Sequence, residues 1–521
     1  MQRRRKVRDF KFYNEFFSKI VEDGNYRRRG KVFKTRNRFY YYDTGTGKVF
    51  ECEKEVYDTF QKLQNTNRFE CLKELDLDDE MLLSALDKIV DVVNSENILK
   101  APLMTTFSGE QVTDLKKSLD NKLGQITFEV TQKCNLRCDY CIYQEDNPKF
   151  RDFSQHGDMP FEIAKKVIDY SRDKMKDEFY ITFYGGEPLL NFSLIRQCVE
   201  YVKSLNCSNK IMYSLTTNLT LMTQEIAEYL ASVPNFTVVC SIDGDQEIHD
   251  AHRKGTDGKG SFERAMEGLK NLRNAYGNRD ENIIVNMVIT PPYTRTRFDQ
   301  IQKFIESCPY LNERNTIMFS YADNGIRHDT AELAKREEIT DNISFMEQYN
   351  PVQCWSIEEF QETDTPNKIF TWGSMLKGLL KIHKRGLSDT PMTKYYFNGC
   401  CIPGGRRLYI TVDGKYHICE RIGEAPNIGN VKEGINVPKI QEKYIDEYIY
   451  KSRAYCQNCW AAHLCSICYA SCYDENGLDM DTKKIRCISE KFGIENQLIQ
   501  YHEIMEKNPE LLRPLNEMEL D

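Results

Sequence analysis

From about Ile126 onward, the apolar positions fall in short, near-continuous runs, each leading into a stretch with helical spacing. "ITFEVT" opens the series. "FYITFYGG" leads to "FSLIRQCVEYVKSL", "KIMYSLTTN" to "QEIAEYLASV", "FTVVCSIDG" to "SFERAMEGLKNLRNAYG" and "NIIVNMVIT" to "TRFDQIQKFIES", and "NTIMFSY" closes it. Strands that are apolar on both faces belong to parallel sheets covered by helices, which makes this an α/β protein. Six such units in about 200 residues predict a partial (β/α)6 TIM-like barrel over 120–325 rather than a closed eightfold one. Functional side chains are then expected at the C-terminal ends of the strands.

The pattern before this region differs. "KVFKTRNRFYYYDTGTGKVFECEKEVYDTFQKL" reads as two short aromatic strands turning at Asp43–Gly47, with a helix from about Glu53 and further helices through "CLKELDLDDEMLLSALDKIVDVVNS". Residues 1–105 are therefore expected to form a winged-helix-like domain. Its first 40 residues are basic, although the whole chain carries a net charge of -8. Such a patch suits nucleic acid or an acidic peptide, or is simply solvated surface. Residues 326–395 read as a helical bridge. Residues 396–490 are loop-rich and cysteine-dense, with too little apolar periodicity for a good core, so ligated metal is expected to hold them together. Residues 491–521 read as a helical tail.

Composition narrows the class. A chain of 521 residues with 40% hydrophobic and 12% aromatic content is an ordinary multi-domain globular protein. No run of about 18 apolar residues suggests a membrane span. The basic N-terminus lacks the apolar segment of a signal peptide, which predicts a cytoplasmic protein. Nineteen cysteines in that setting point to metal or redox chemistry rather than disulfides. Cys52, Cys71, Cys198, Cys207, Cys240, Cys308 and Cys354 are scattered singly and read as small buried hydrophobes. The other twelve fall into two groups.

The first group is Cys134, Cys138 and Cys141, spaced C-x3-C-x2-C at the end of the first barrel strand. Three thiolates can hold three irons of a four-iron cluster and leave the fourth open. A closed zinc site would need a fourth ligand, and the nearest histidine in sequence is His156. With Tyr140 just before the last cysteine, the motif resembles that of the radical S-adenosylmethionine (SAM) superfamily. The resemblance implies that the open iron chelates the amine and carboxylate of S-adenosyl-L-methionine, and that one electron from the reduced [4Fe–4S] cluster splits a C–S bond. "YGGEP" at Tyr184–Pro188 matches the family's GGEP segment, which implies that Gly185, Gly186 and Glu187 contact the methionyl amine. "LTTN" resembles its TNG segment, with Asn218 matched and Leu219 in place of glycine. "CSIDGDQEIHDAHR" implies that Ser241 lines the pocket and that Arg253 forks to the methionyl carboxylate, while His249 and His252 serve the local fold.

The second group reads Cys400-Cys401, Gly414, Cys419, then Cys456-x2-Cys459-x5-Cys465-x2-Cys468-x3-Cys472 and Cys487. It resembles the SPASM extension of peptide-modifying radical enzymes, which implies two auxiliary [4Fe–4S] clusters. Where that pattern calls for a cysteine at position 469, this chain has Tyr469. Carried over, Cys401 and Cys419 belong to the first auxiliary cluster, with Cys468 or Cys472 joining and Cys400 either completing it or free. Cys456, Cys459, Cys465 and Cys487 close the second. A zinc ribbon over Cys456–Cys468 is the alternative. Glu420 stands where the related sulfatase-maturing enzymes carry a general base, and a carboxylate paired with Arg406, Arg407 or Arg421 is the structural alternative.

Together these resemblances imply a maturase of a ribosomally made, cysteine-rich peptide of the sactipeptide or ranthipeptide type. It would form thioether crosslinks through a 5′-deoxyadenosyl radical. The implied partners are a precursor peptide, whose leader docks on the N-terminal domain by strand addition, and a low-potential donor such as ferredoxin or flavodoxin. A formylglycine-forming maturase and a C–C crosslinking enzyme are the alternatives within the class. A basic iron–sulfur DNA-binding regulator is the alternative outside it, and it leaves the ordered barrel motifs unexplained.

Overall fold

The computed structural model of the protein describes residues 8–120, 123–143, 147, 150–322 and 373–519. The six apolar runs form six parallel strands in sequence order: β4 (Leu123–Thr131), β5 (Met175–Gly185), β6 (Lys210–Thr217), β7 (Phe236–Ser241), β8 (Ile283–Ile289) and β9 (Thr316–Tyr321). The register sets Ile126 beside Ile181 and Phe128 beside Phe183, all fully buried. Helices α4 (Phe161–Ser171), α5 (Phe192–Ser204), α6 (Gln224–Ser232), α7 (Phe262–Tyr276) and α8 (Arg295–Ser307) follow their strands and bury one apolar stripe each into a common core. These β/α connections leave the loops after the strands free to build a site at one end.

The sheet does not stop at β4. Strand β10 (Arg407–Ile410), from the cysteine-dense region, pairs parallel with β4, placing Leu408 beside Ile126. Strands β11 (Lys415–His417), β12 (Gly429–Asn430) and β13 (Gly434–Ile435) then continue the sheet antiparallel, to ten strands. Leu408, Ile410 and Tyr416 are fully buried in the barrel's own core. Part of this region is thus anchored by strand pairing and apolar burial, beyond the metal ligation expected from its composition. The pattern was hard to read because these strands are two to four residues long.

At the other end of the chain, α1 (Phe10–Ile20) precedes a three-stranded antiparallel sheet, β1 (Gly30–Lys34), β2 (Phe39–Asp43) and β3 (Val49–Cys52). Helices α2 (Lys54–Thr66) and α3 (Asp79–Glu96) follow, the latter capped by the Asp78 carboxylate on the Met81 amide. One face of the sheet, with Val32 and Tyr41, packs on these helices. The other, with Phe33, Tyr40 and Tyr42, packs on α9 (Gly373–His383) and on α11 (Met480–Lys507), the long helix near the end of the chain. Much of the basic stretch lies in internal contacts. Arg28 and Arg29 are buried against Asp23 and the carbonyls of Ala101 and Leu99. Arg36 reaches buried Glu503, and Lys31 reaches Glu495, both on α11. Among the described residues, no helix is long and apolar enough to cross a membrane. Most of the bridge expected at 326–395, up to residue 372 and including Cys354, lies outside the described residues.

Candidate active site

The loop after β4 carries the three-cysteine motif, and the glycines after β5 hold it in place. The Gly186 amide donates to the Thr131 carbonyl and the Glu187 amide to the Lys133 carbonyl, each at 2.8 Å. A Cβ on Gly186 would run into the Lys133 carbonyl, and one on Gly185, whose φ is 133°, into that of Thr131. From the other side, the Arg137 amide donates to the Lys254 carbonyl at 2.7 Å. So fixed, Cys134, Cys138 and Cys141 line a cavity of about 880 Å³ together with Tyr140, Gly185, Gly186, Glu187, Asn218, Ser241 and Arg253.

The strand ends are tied to one another across this cavity. Glu187 is almost fully buried, and its carboxylate accepts from the Thr217 hydroxyl and the Asn218 amide, each at 2.7 Å. Burial pushes its carboxyl above the usual range, against these hydrogen bonds. The Asn218 side chain donates to Asn135 at 2.9 Å, which joins the end of β6 to the cysteine loop. Leu219, in place of the family's glycine, takes the left-handed conformation that glycine would, with φ 67°. That costs about 1–2 kcal/mol. Its amide donates to the Thr217 hydroxyl, and its side chain is fully buried. Asp243 organises the remaining wall: Arg253 donates to it at 2.9 Å, the Tyr140 hydroxyl donates to the same oxygen, and the Val288 amide donates to the other at 3.0 Å. Asp243 was not singled out from the sequence, although it lies within the quoted "SIDG".

The sequence profile of the Radical SAM superfamily matches residues 128–305, which span this cavity from β4 to α8. An uncharacterized protein of Methanocaldococcus jannaschii is 30% identical over 334 residues, 63% of this chain and 98% of that one. The chain belongs to the radical SAM superfamily. A cysteine-type anaerobic sulfatase-maturating enzyme of Clostridium novyi is 31% identical over 186 residues, 35% of this chain and about half (48%) of that enzyme. The solved structure of native anSMEcpe with bound AdoMet superposes with a TM-score of 0.54 at 19% identity, covering 76% of this chain and 100% of that one, which establishes a shared fold.

The radical SAM cysteines suit a four-iron cluster. The Leu136 amide points at the Cys134 sulfur at 3.5 Å, and an Arg253 nitrogen lies 4.0 Å from the Cys138 sulfur. Burial raises the Cys134 thiol to about 11 and the Cys138 thiol to about 12, so the unligated sulfurs are held protonated, a penalty that iron ligation removes. Among the described residues, no three His, Cys, Asp or Glu side chains converge tightly enough to hold a single metal ion.

In this radical SAM chain the second cysteine group falls into two sets of electrostatic neighbours. The Cys400 sulfur lies 3.6 Å from the Ile467 carbonyl, and the Cys472 sulfur 3.3 Å from the Cys468 carbonyl. The charges of Cys468 and Cys472 act on Cys400, and that of Cys468 acts on Cys419. A second set couples Cys459 to Cys456, Cys465 to Cys459 and Cys487, and Cys487 to Cys456. Cys401 is exposed, while its neighbour Cys400 faces the first set. Cys468 also lines the radical SAM cavity, together with the first three cysteines. Glu420 is held by Arg407 through contacts of 2.8 and 3.1 Å, and it is Arg421, next in sequence, that reaches the cavity wall.

Proposed function

We propose that this radical SAM enzyme matures a ribosomally made, cysteine-rich peptide by forming intramolecular thioether links. One observation carries the reading: a single cavity is lined both by the three-cysteine motif and by Cys468, with Ser471, Asp474, Asp479 and Arg486 from the cysteine-rich region. A peptide segment laid between them meets both the radical source and the cysteine-rich region. When bound, the [4Fe–4S] cluster and S-adenosyl-L-methionine supply a 5′-deoxyadenosyl radical on one-electron reduction. Cys134, Cys138 and Cys141 would hold that cluster. Glu187 would receive the methionyl ammonium, Arg253, oriented by Asp243, would receive its carboxylate, and Tyr140 and Ser241 would shape the pocket. Cys400, Cys419, Cys468 and Cys472 would hold one auxiliary cluster, and Cys456, Cys459, Cys465 and Cys487 the other. A carboxylate clamped by Arg407 is poorly placed to serve as general base, so no base is assigned to Glu420.

In this proposal the N-terminal unit holds the leader. Strand β3 is an edge of its sheet. Beside it, a groove of about 320 Å³ is lined by Phe50, Cys52, Val56, Lys88, Ile89 and Val92. An added strand would gain main-chain hydrogen bonds from the edge and apolar pockets from α2 and α3. Because Arg28, Arg29 and Arg36 are engaged inside the chain, apolar side chains rather than acidic ones would carry the recognition. A ferredoxin or flavodoxin would supply the electron.

The test is anaerobic incubation of the reconstituted chain with S-adenosyl-L-methionine, dithionite and a cysteine-rich precursor peptide encoded beside it. The proposal expects 5′-deoxyadenosine together with loss of two hydrogens and one alkylatable thiol per crosslink. A hydrazide-reactive aldehyde would mark formylglycine instead. Loss of hydrogens with every thiol still alkylatable would mark C–C linkage. Either result would overturn the thioether reading.

A further inference from the structure

Lys483 lies in the first turns of α11 and is 2% exposed. Its ammonium donates to the Ser452 hydroxyl at 2.9 Å and sits 3.8 Å over the ring of Tyr448. Ser452 and Tyr448 belong to α10 (Glu447–Cys456), and both are buried. Among the described residues, no carboxylate is within ion-pair reach of Lys483. A buried ammonium satisfied only by a hydroxyl and an aromatic face is expensive, because neither replaces the lost hydration of a full charge. Lysines this deep are normally matched by an anion.

The surrounding geometry names that anion. Residues four apart share a helix face. Cys487 lies one turn beyond Lys483 on α11, and Cys456 one turn beyond Ser452 on α10. The Lys483–Ser452 contact therefore ties the two helices together one turn before Cys487 and Cys456, and the charge of Cys456 acts on Cys487. The charge of Lys483 acts on Cys456, Cys459 and Cys487 of one quartet and on Cys400 of the other, in each case opposing the burial that raises the thiol. Of the other nearby charges, Glu490 bonds Ser466 and Lys381 and acts on Cys465 with the opposite sign, Glu447 bonds Lys451, and Lys491 is two turns on from Lys483 and acts on Cys459 and Cys487.

We propose that Lys483 is a positioning residue that serves as the shared counter-ion of the two auxiliary clusters, stabilising their reduced forms and so raising their potentials. The inference rests on the auxiliary-cluster reading given above. Each cluster gains one negative charge when it accepts one electron, and a fixed ammonium beside it favours that state. Because its charge acts on members of both quartets, one lysine favours electron uptake by both, as a route carrying an electron away from the substrate requires.

Iron counting and EPR-monitored redox titration of the full chain, purified anaerobically, test the proposal. S-adenosyl-L-methionine identifies the first cluster's signal as the one it perturbs, and the remaining signals report the auxiliary sites. In Lys483→Met, the auxiliary signals are expected to be at least tenfold less reduced at the wild-type midpoint. That corresponds to a midpoint about 59 mV lower for one electron. Lys483→Arg keeps the charge and is expected to stay near wild type. Loss of auxiliary iron in Lys483→Met but not in Lys483→Arg also supports the proposal. Full iron with unchanged midpoints in Lys483→Met, an equal shift in Lys483→Arg, or equal iron loss in both would overturn it. A wild-type chain holding about four rather than about twelve irons would remove the auxiliary-cluster reading itself before any variant is compared.

Discussion

The amide of Asn218, at the end of β6, donates to Glu187, at the end of β5, at 2.7 Å, and the Thr217 hydroxyl donates to the same carboxylate. One buried carboxylate thus sets the spacing of two barrel strands at the mouth of the cavity. Glu187→Gln keeps the shape but removes the charge and brings an amide donor toward existing donors. Hydrogen bonds to charged groups contribute about 1.5–3 kcal/mol. S-adenosyl-L-methionine affinity is expected to fall at least about tenfold while first-cluster iron is retained, as measured by anaerobic equilibrium dialysis with iron assay.

Gly186→Ala tests the clamp on the cysteine loop. The added methyl meets the Lys133 carbonyl, which is backbone and cannot step aside. The loop must shift, and the 2.8 Å bonds from Gly186 and Glu187 to Thr131 and Lys133 with it. The expected result is loss of the first cluster, from about twelve irons to about eight, with the auxiliary EPR signals intact.

Cys400 and Cys401 are adjacent and chemically identical, yet only Cys401 is exposed. Cys401→Ser is expected to leave iron at about twelve per chain, and Cys400→Ser to lower it to about eight. Brief alkylation of the folded holoprotein followed by peptide mass mapping should label Cys401 and spare Cys400.

His502, in the seam between the N-terminal sheet and α11, lies among the rings of Phe33 and Tyr40. Burial lowers its pKa from 6.5 to about 4, outweighing the bond to the Leu498 carbonyl. The unfolded imidazole takes up a proton near pH 6.5 and the folded one only near pH 4. The seam's stability is therefore full above about pH 6.5 and falls as the pH drops toward 4, by up to about 3 kcal/mol. His502→Phe should flatten this contribution in thermal melts taken between pH 7 and 5.

The groove beside β3 is the proposed leader site. Phe50→Asp and Val92→Asp, at partly exposed positions, place charge on its apolar lining. Each is expected to weaken binding of a fluorescent leader peptide at least about tenfold by anisotropy, with iron content and deoxyadenosine formation unchanged in the absence of peptide.

Several of these sites were legible because their signals are local. The apolar runs at 126–131, 179–186, 210–218, 236–244, 282–290 and 315–321 each became a strand of the parallel sheet, several of them with burial that alternates between fully and partly covered positions. The signature segments fell at strand ends and met in one cavity. Strand β10 escaped notice because its four residues acquire strand character only by pairing with β4, some 280 positions away.

What the order of residues determined alone was the kind of chemistry and the scaffold for it: three thiols in eight positions, glycines where backbone must approach backbone, and apolar periodicity that selects a parallel sheet. Tertiary structure decided where chemically identical groups sit. It turned Cys400 inward and left Cys401 outside, drew Arg28 and Arg29 out of solvent, made Asp243 the hub for Tyr140 and Arg253, and buried the Lys483 ammonium against Ser452 and Tyr448. The reason is physical: burial, field and hydrogen-bond partners depend on distances through space, and chain separation does not encode them.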